Sequence, residues 1–319
     1  MHSNLRGALL SLAAFGAYAT HDVVVKLLGE SYTSFQIMFF SGLMGFPLVT
    51  MMLMGDRRGG TLIPRHPWWS ILRSVSAVTT GALGFYAFSQ LPLAQCYAIF
   101  FAMPLLITLL AIPMLGERVG LRRGIAVVMG LLGVLIVLRP GAGQEFSLGH
   151  LAAIGAAAAG ALSAVIVRKI GGAERSVVLM LYPMVLTFFA MGATMPFVYA
   201  PMPVGHLGLT AVMAILGNLG ALGTIAAYRA APAVIVAPMQ YSQILWAALY
   251  GWIFFGESVD LYTALGSAVI IGSGIYIVLR EGTPSVSQNR PVLETRSRME
   301  TGTQPRISSW LRRRGGDQA

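Results

Sequence analysis

The chain has 319 residues, of which 56% are hydrophobic and only 11% are charged, and its mean hydropathy is +0.71. A soluble domain carries about 25% charged residues, so this composition excludes a protein that covers its whole surface with polar side chains. The apolar residues occur in runs of about 20, the length of a helix that crosses the ~30 Å hydrocarbon core of a bilayer. The sequence therefore predicts an all-α, multi-pass membrane protein.

Ten apolar runs follow one another along the chain, and short connections with turn-forming residues separate them. The predicted spans are residues 5–28, 33–54, 68–90, 93–114, 122–138, 149–170, 177–200, 206–230, 233–255 and 261–279. The remaining segment, residues 282–319, is rich in Ser, Thr, Pro, Gln and Arg. That composition predicts a disordered, basic cytoplasmic tail.

The basic residues indicate the orientation of the spans. Of the 22 Lys and Arg residues, only Lys26 and Arg139 lie in the odd-numbered connections, and the others lie at the N-terminus, in or beside the even-numbered connections, and in the tail. Basic residues concentrate on the cytoplasmic side of a membrane, so both termini are predicted to be cytoplasmic. The net charge of +10 is then explained by topology, and no nucleic-acid partner is predicted.

The second part of the sequence repeats the first. Gly116–Glu117 aligns with Gly256–Glu257, and in the same register Pro92 aligns with Pro232. The first predicted span aligns in a similar way with the sixth. We therefore predict two repeats of five helices each.

The two predicted repeats cover residues 1–140 and 141–281. Because five is an odd number, the second repeat enters the bilayer from the opposite side. Inverted repeats are typical of secondary transporters, which bind their substrate near the bilayer midplane where the repeats meet.

The first span has an alternative interpretation as a cleavable signal peptide. It has a basic residue, an apolar core and the small-residue pattern Ala17–Tyr18–Ala19. The internal repeat favours retention of this span, since its loss would leave two unequal halves.

Two stretches of the chain resemble the EamA-type carriers of the drug/metabolite transporter superfamily. In the first half this is FYAFSQLPLAQCYAIFFAMPLLITLLAIPMLGERVGLRRGIAVVMGLLGVLIVLRPG, and in the second half AAYRAAPAVIVAPMQYSQILWAALYGWIFFGESVD. Ser41 stands where similar carriers often have an arginine in the second span, so an anion-pairing role is not predicted at this position.

The resemblance implies a ten-helix carrier in a bacterial-type inner membrane. Some similar bacterial carriers take up S-adenosylmethionine or riboflavin. We therefore predict a secondary transporter that works by alternating access on a small, aromatic or nucleoside-like metabolite, as a monomer or a homodimer. An amino-acid or drug exporter of the same fold and a non-transporting membrane scaffold are the alternatives.

Polar and helix-breaking residues are predicted to coincide near the bilayer midplane. Counting 1.5 Å per residue from Ala233 places Gln243 about 15 Å deep. The predicted substrate-binding residues at or near this depth are Thr79, Thr80, Pro104, Asn218, Gln240, Tyr241, Gln243 and Trp246. They favour a cavity between the third, fourth, eighth and ninth spans, although Gln and Asn side chains also serve simply to bond neighbouring helices.

Two prolines interrupt the predicted spans at this level. Pro104 and Pro238 each lack a backbone N–H, so kinks are predicted in the fourth and ninth spans. Carbonyl groups freed in this way are tolerated where they are buried in protein or line a wet cavity. Tyr241 and Trp246 present flat rings on which an aromatic ligand stacks.

Asp22 is a carboxylate predicted to lie inside a span. It shares one helical face with small and polar residues that begin at Gly7, so it is predicted to face the interior. A carboxylate within the membrane is a functional candidate, and the hypothesis is that Asp22 couples transport to protons. The alternative is an ion pair with Lys26, four residues later.

Two further carboxylates, Glu117 and Glu257, follow glycines and precede helices. A capping role or a hinge contact is predicted for both, since a negative charge is favourable at a helix N-terminus.

No catalytic or metal site is predicted, so we expect neither an enzyme nor a cofactor. The five histidines are scattered at span ends without the H-E-x-x-H spacing, and no G-x-S-x-G motif is present. Cys96 is the single cysteine, which excludes a disulfide within the chain and a metal site with several cysteine ligands.

Overall fold

A computed structural model of the chain describes residues 2–54, 62–117, 120–139, 146–171 and 173–281. These residues form twelve α-helices and one 3₁₀ segment, and no strand occurs among them. The all-α prediction is therefore confirmed. The predicted tail, residues 282–319, lies outside the described residues.

The helices follow the order of the predicted spans. They are α1 (His2–Gly29), α2 (Ser34–Met54), α3 (Pro67–Gln90), α4 (Leu93–Phe100), α5 (Met103–Leu115), α6 (Leu121–Leu138), α7 (Leu148–Ile170), α8 (Ser176–Val198), α9 (Val204–Ala230), α10 (Ala233–Val236), α11 (Ser242–Phe255) and α12 (Leu261–Glu281). The 3₁₀ segment, Ala237–Tyr241, joins α10 to α11.

Seven helical segments of the described residues are long and apolar enough to cross a membrane. They are Leu5–Gly29, Pro67–Gln90, Leu93–Leu115, Leu148–Ile170, Leu181–Val198, Val204–Ala230 and Leu261–Leu279. A shorter apolar helix covers Gly124–Leu138. The chain is thus a multi-pass membrane protein.

Two of the predicted spans are interrupted. In the fourth span α4 ends at Phe100, two residues turn, and Pro104 lies in the first turn of α5. In the ninth span the 3₁₀ segment contains Pro238 and separates α10 from α11. Proline removes a backbone donor and restricts the chain before it, so both breaks occur at the prolines for which the sequence predicts kinks.

Most of the main helix pairs join the two halves of the sequence. Helix α1 packs on α9, α2 on α8, α3 on α7 and α6 on α12, and α4 packs on α11. Helix α4 lies inside the bundle, since all of its residues from Leu93 to Phe100 are buried by other parts of the protein. This arrangement surrounds the first break with helices from both halves.

Helices α6 and α12 cross at two glycines. A Cβ atom on Gly133 would lie 2.9 Å from the carbonyl oxygen of Gly266, and one on Gly266 would lie 2.6 Å from the carbonyl oxygen of Gly133. The backbones approach so closely only because neither position has a side chain, as at many helix crossings in membranes.

Candidate functional site

The breaks of the fourth and ninth spans lie against each other. The ring of Phe101, in the turn between α4 and α5, meets the ring of Tyr241 edge-on at a centroid distance of 4.9 Å. Tyr241 is the last residue of the 3₁₀ segment and is buried. Its ring packs so tightly on Gly274 of α12 that a Cβ there would lie 2.6 Å from the Tyr241 Cζ and overlap its hydroxyl.

A chain of buried polar side chains begins beside these breaks and joins α11, α4 and α1. The Gln243 Nε2 atom donates to the Tyr97 hydroxyl at 3.4 Å, and that hydroxyl donates to Asp22 Oδ2. The other oxygen of Asp22 lies 2.7 Å from His21 Nδ1. The exposed fractions are 2% for Gln243, 4% for Tyr97, 0% for Asp22 and 2% for His21.

Local structure explains how these side chains meet. Gln243 lies in the first turn of α11, so the 3₁₀ segment before it sets its orientation. Tyr97 lies in the middle of the short α4, four residues before the turn at Phe101. Asp22 lies on the predicted interior face of α1, which packs on α11. The first half of the sequence thus supplies Tyr97 and Asp22, and the second half supplies Gln243.

Aromatic rings surround this polar chain. Phe88 and Phe101 lie with their ring centroids 5.7 Å and 6.1 Å from that of Tyr97. Phe85 approaches the His21 ring edge-on at 6.0 Å. Such apolar walls strengthen each hydrogen bond inside them and make an unpaired charge costly.

The burial of Asp22 determines what the site is able to do. A carboxylate away from water is stable as an anion only when donors satisfy its oxygens, and here Tyr97 and His21 supply them. The Tyr97 hydroxyl is hydrogen-bonded to both Asp22 and Gln243 and so connects the carboxylate of α1 to the amide of α11.

Two of the predicted residues bond to their own helices. Thr80 is fully buried and donates to the Ser76 carbonyl at 2.7 Å, while Asn218 donates to the Ala214 carbonyl at 2.7 Å. Thr79 is half-buried in the middle of α3. The Thr80 hydroxyl and the Asn218 amide N–H thus find acceptors within α3 and α9.

The remaining predicted residues lie at or near the two breaks. Pro104 begins α5, Gln240 is half-buried in the 3₁₀ segment, and Tyr241 packs on Phe101. Trp246 is half-buried one turn after Gln243, against Gly16 of α1, which has no side chain to displace its indole ring.

Lys26 does not have the partner that sequence spacing suggests. Its ammonium group pairs with Glu257 and donates to the Leu91 carbonyl at 2.6 Å. The alternative of an ion pair between Asp22 and Lys26 is replaced by a pair that joins the end of α1 to the end of α11. Glu117 forms a corresponding pair with Arg168 of α7.

Groups of three or more His, Cys, Asp or Glu side chains that could hold a metal ion are absent from the described residues.

Each half of the chain matches the same family. The EamA-like transporter family matches residues 5–139 and again residues 147–280. The chain belongs to the EamA-like transporter family. The resemblance seen in the sequence is thereby confirmed, and this membership assigns the chain to a family of transporters.

Curated proteins similar to this EamA-like transporter carry different substrates. A pseudopaline exporter of Pseudomonas aeruginosa strain UCBPP-PA14 is 24% identical over 267 residues, covering 83% of this chain and 93% of the exporter. An S-adenosylmethionine uptake transporter of Rickettsia bellii is 25% identical, covering 86% of this chain and 92% of that protein. A riboflavin transporter of Vibrio cholerae is 27% identical, covering 86% and 94%.

A crystal structure supports the fold of this EamA-like transporter. It matches with a TM-score of 0.55 and 17% sequence identity, covering 89% of this chain and 99% of the other. At that identity the likeness concerns the fold alone.

Two members of the polar chain, Tyr97 and His21, are not among the site residues that the sequence predicts. Both lie toward the outer ends of the predicted fourth and first spans, away from the midplane level of Gln243. A weak signal was available for each: His21 precedes Asp22 in the chain, and Tyr97 follows the start of α4 by about one turn. A comparison of depths near the other end of the spans would have found the pair of Asp22 and Tyr97.

Proposed function

We propose that this protein is a secondary transporter that moves a small metabolite across a bacterial-type inner membrane by alternating access. The observation that carries the proposal is the buried chain from Gln243 through Tyr97 to Asp22, beside two broken spans that meet between the halves of the molecule. Broken helices near the midplane are where secondary transporters bind substrates and coupling ions.

The proposed topology has ten spans in two inverted repeats, residues 1–140 and 141–281, with both termini in the cytoplasm. In these repeats α1 corresponds to α7 and α3 to α9. The packing of α1 on α9 then corresponds to that of α7 on α3, while α2 on α8 and α6 on α12 are pairs of corresponding helices. A pattern of this kind is expected of two repeats related by a twofold axis.

The substrate binds, in this proposal, where the breaks meet, with Gln243 and Gln240 as hydrogen-bonding groups and Tyr241 and Trp246 as aromatic surfaces. Pro104 lacks the backbone N–H that a continuous helix would need at the first break. Thr79, Thr80 and Asn218 contribute to the walls of the substrate site. Aromatic rings beside amide groups suit a flat heterocycle with polar edges. Relatives named for riboflavin and S-adenosylmethionine support this substrate class.

Protons entering from outside drive transport in this proposal, with Asp22 as their acceptor. A proton on Asp22 releases Tyr97, and the released hydroxyl alters the bonding of Gln243 at the substrate site. Coupling of this kind requires one group whose hydrogen bonding responds both to the proton and to the substrate. Tyr97 is such a group, because it contacts the proton acceptor Asp22 and the substrate-binding Gln243.

Export is the second candidate direction. The similarity to a pseudopaline exporter supports it, since that match covers 83% of this chain, close to the 86% covered by the S-adenosylmethionine uptake transporter. In an exporter the same polar chain would exchange an incoming proton for an outgoing metabolite.

A thermal-shift screen of the purified protein tests the substrate class. Riboflavin and S-adenosylmethionine are added separately, and at about 100 times its Kd a ligand that binds the native state stabilises it by about 2.7 kcal/mol. We expect at least one of them to raise the melting temperature of the wild type and to have little effect on Gln243→Ala. The control, Thr50→Ala, alters an exposed hydroxyl bonded within α2 and should keep the full shift. A shift that is equal in all three proteins would contradict this site.

A further inference from the structure

The proposed outer end of the molecule carries an ion pair that joins the two halves. Lys26, near the end of α1, pairs with Glu257, which follows α11. Lys26 also donates to the Leu91 carbonyl at 2.6 Å, and the second oxygen of Glu257 accepts the backbone N–H of Leu93 at 3.0 Å. The pair therefore fixes the start of α4 against the ends of α1 and α11.

The proposed inner end carries a second ion pair between the halves. Arg168, near the end of α7, pairs with Glu117, which follows α5. The adjacent Lys169 donates to the Met114 carbonyl at 3.1 Å. The ends of α5 and α7 are thereby fixed to each other.

The two pairs occupy corresponding positions of the two repeats. The alignment that places Glu117 on Glu257 rests on the repeated Gly–Glu sequence, and the alignment of the first span with the sixth places Lys26 on Arg168. In each pair the carboxylate comes from one half and the cation from the other. The same type of ion pair between the halves therefore occurs twice, once at each end of the bundle.

Backbone geometry around the two glutamates is also repeated. Gly116 and Gly256 have φ angles of 69° and 62°, a left-handed conformation that favours glycine. The N–H of the following glutamate donates to a carbonyl six residues earlier, at 3.3 Å for Glu117 and 2.9 Å for Glu257. These turns direct both carboxylates back onto the bundle instead of into solvent.

The two ion pairs differ in one contact. Both oxygens of Glu257 have partners, whereas the second oxygen of Glu117 is buried and has no hydrogen-bond partner among the residues that the structure describes. The residue that corresponds to Leu93 is Ala233, at the start of α10. A buried, unsatisfied carboxylate oxygen is costly, so a movement that brought the Ala233 N–H to Glu117 would be favourable.

We propose that these pairs are the outer and inner latches of the transport cycle, Lys26 with Glu257 outside and Arg168 with Glu117 inside. The outer latch is complete in this structure and the inner latch is one contact short. Opening of the outer end breaks the contacts of Glu257 to Lys26 and Leu93, while closure of the inner end adds the contact of Glu117 to Ala233. This inference rests on the proposed alternating access and on the proposed orientation.

The chain offers matched reporters for the two latches. Cys96, the single cysteine, is buried on α4 one turn after Leu93. The residue in the corresponding position of the second half is Val236, which is also fully buried. The wild type therefore reports on the outer end, and Val236→Cys in a Cys96→Ser background reports on the inner end.

Alkylation by a membrane-impermeant maleimide tests the proposal, with spheroplasts for the outer reporter and inside-out vesicles for the inner one. Neutralising the outer latch with Glu257→Gln should increase the alkylation rate of the outer reporter at least about tenfold and leave the inner reporter no faster. Neutralising the inner latch with Glu117→Gln should do the reverse. Lys26→Met should reproduce the effect of Glu257→Gln, which keeps the test usable if one variant folds poorly.

The latches would be overturned if either variant increased the alkylation rates of both reporters equally, or if it increased neither rate. Flux of riboflavin and S-adenosylmethionine in proteoliposomes separates this inference from the proposed function. End-specific alkylation without flux supports the latches and contradicts the proposed substrates, whereas flux with unchanged alkylation contradicts the latches alone.

Discussion

At the scale of single residues, Asp22 is the most constrained group of the site. It is fully buried within α1, and it has hydrogen-bonding partners in its own helix and in α4. Lys26, the cation nearest to it along the helix, is committed to Glu257. Asp22 is thus held by Tyr97 and His21, and in the proposed cycle it is the group that gains and loses a proton.

Asp22→Asn should therefore abolish uptake driven by a pH gradient and leave downhill exchange of substrate intact. Asparagine has nearly the same shape but takes up no proton. The measurement is uptake by proteoliposomes with and without an imposed gradient, with Glu30→Gln, an exposed change near the end of the same helix, as the control. The exchange of Asp22→Lys with Lys26→Asp should remain inactive, and its recovery of full pH-driven uptake would contradict the role of Asp22.

Tyr97→Phe should weaken the link between proton and substrate. A hydrogen bond to a charged group contributes about 1.5–3 kcal/mol, so we expect pH-driven uptake to fall by about tenfold or more. Downhill exchange should fall less, because Gln243 remains in place. Tyr276→Phe, at a partly exposed position of α12, is the control and should behave as the wild type. An equal loss in driven uptake and exchange would indicate a purely structural role for Tyr97.

At the scale of elements, the two breaks determine where the site lies. A continuous fourth span would carry Phe101 in a helix, and a continuous ninth span would rotate Gln243 relative to α10. Prolines at 104 and 238 prevent this continuity, and the ring contact between Phe101 and Tyr241 holds the breaks together. Gly274 of α12 supports Tyr241 from behind, so this contact depends on a third element.

Gly274→Ala should displace Tyr241, because the new methyl group would overlap its hydroxyl. Overpacking of this kind destabilises by about 1–3 kcal/mol, which the melting temperature of the purified protein will report. Gly272→Ala is the matched control, since its Cβ would meet nothing within 4 Å and alanine is the better helix former. A Gly274 variant as stable as the control would mean that Tyr241 is not held by this contact.

At the scale of the whole molecule, connections between the halves occur at both ends of the bundle. The two cations that the charge count places outside, Lys26 and Arg139, are both paired with acidic residues of the second half, Glu257 and Asp260. The other end is joined by the pair of Arg168 with Glu117.

The orientation is tested by labelling single cysteines in a Cys96→Ser background. Ser258→Cys and Ala173→Cys are at exposed positions in the ninth and sixth connections. An impermeant thiol reagent added to spheroplasts should label the first variant and spare the second. The opposite pattern would reverse the proposed topology.

The sequence predicted features that depend on local chemistry and on composition. Apolar runs predict helices because the bilayer leaves no other way to satisfy their backbones, and Pro104 and Pro238 predict breaks because they lack a donor. The family also follows from residues in the chain, above all the repeated Gly–Glu pair and the stretches around it.

Partners across the bundle were not predictable in the same way. Lys26 was expected beside Asp22 because four residues bring side chains together on one helix, but its long side chain reaches Glu257 in the other half. Which face of α4 turns Tyr97 toward Asp22 depends on how helices from both halves pack around it. That packing is a property of the folded bundle. The residue pattern of a single sequence does not show which residues of distant helices come into contact.

Substrate flux in proteoliposomes tests most directly the central claim, that this protein carries a small metabolite through a site at the meeting point of two broken spans. We predict saturable, pH-sensitive uptake of riboflavin or S-adenosylmethionine by the wild type. Gln243→Ala should reduce it by about tenfold or more while Thr50→Ala preserves it. Transport through this site would be contradicted if neither compound moved faster than in protein-free liposomes, or if Gln243→Ala transported as well as the wild type.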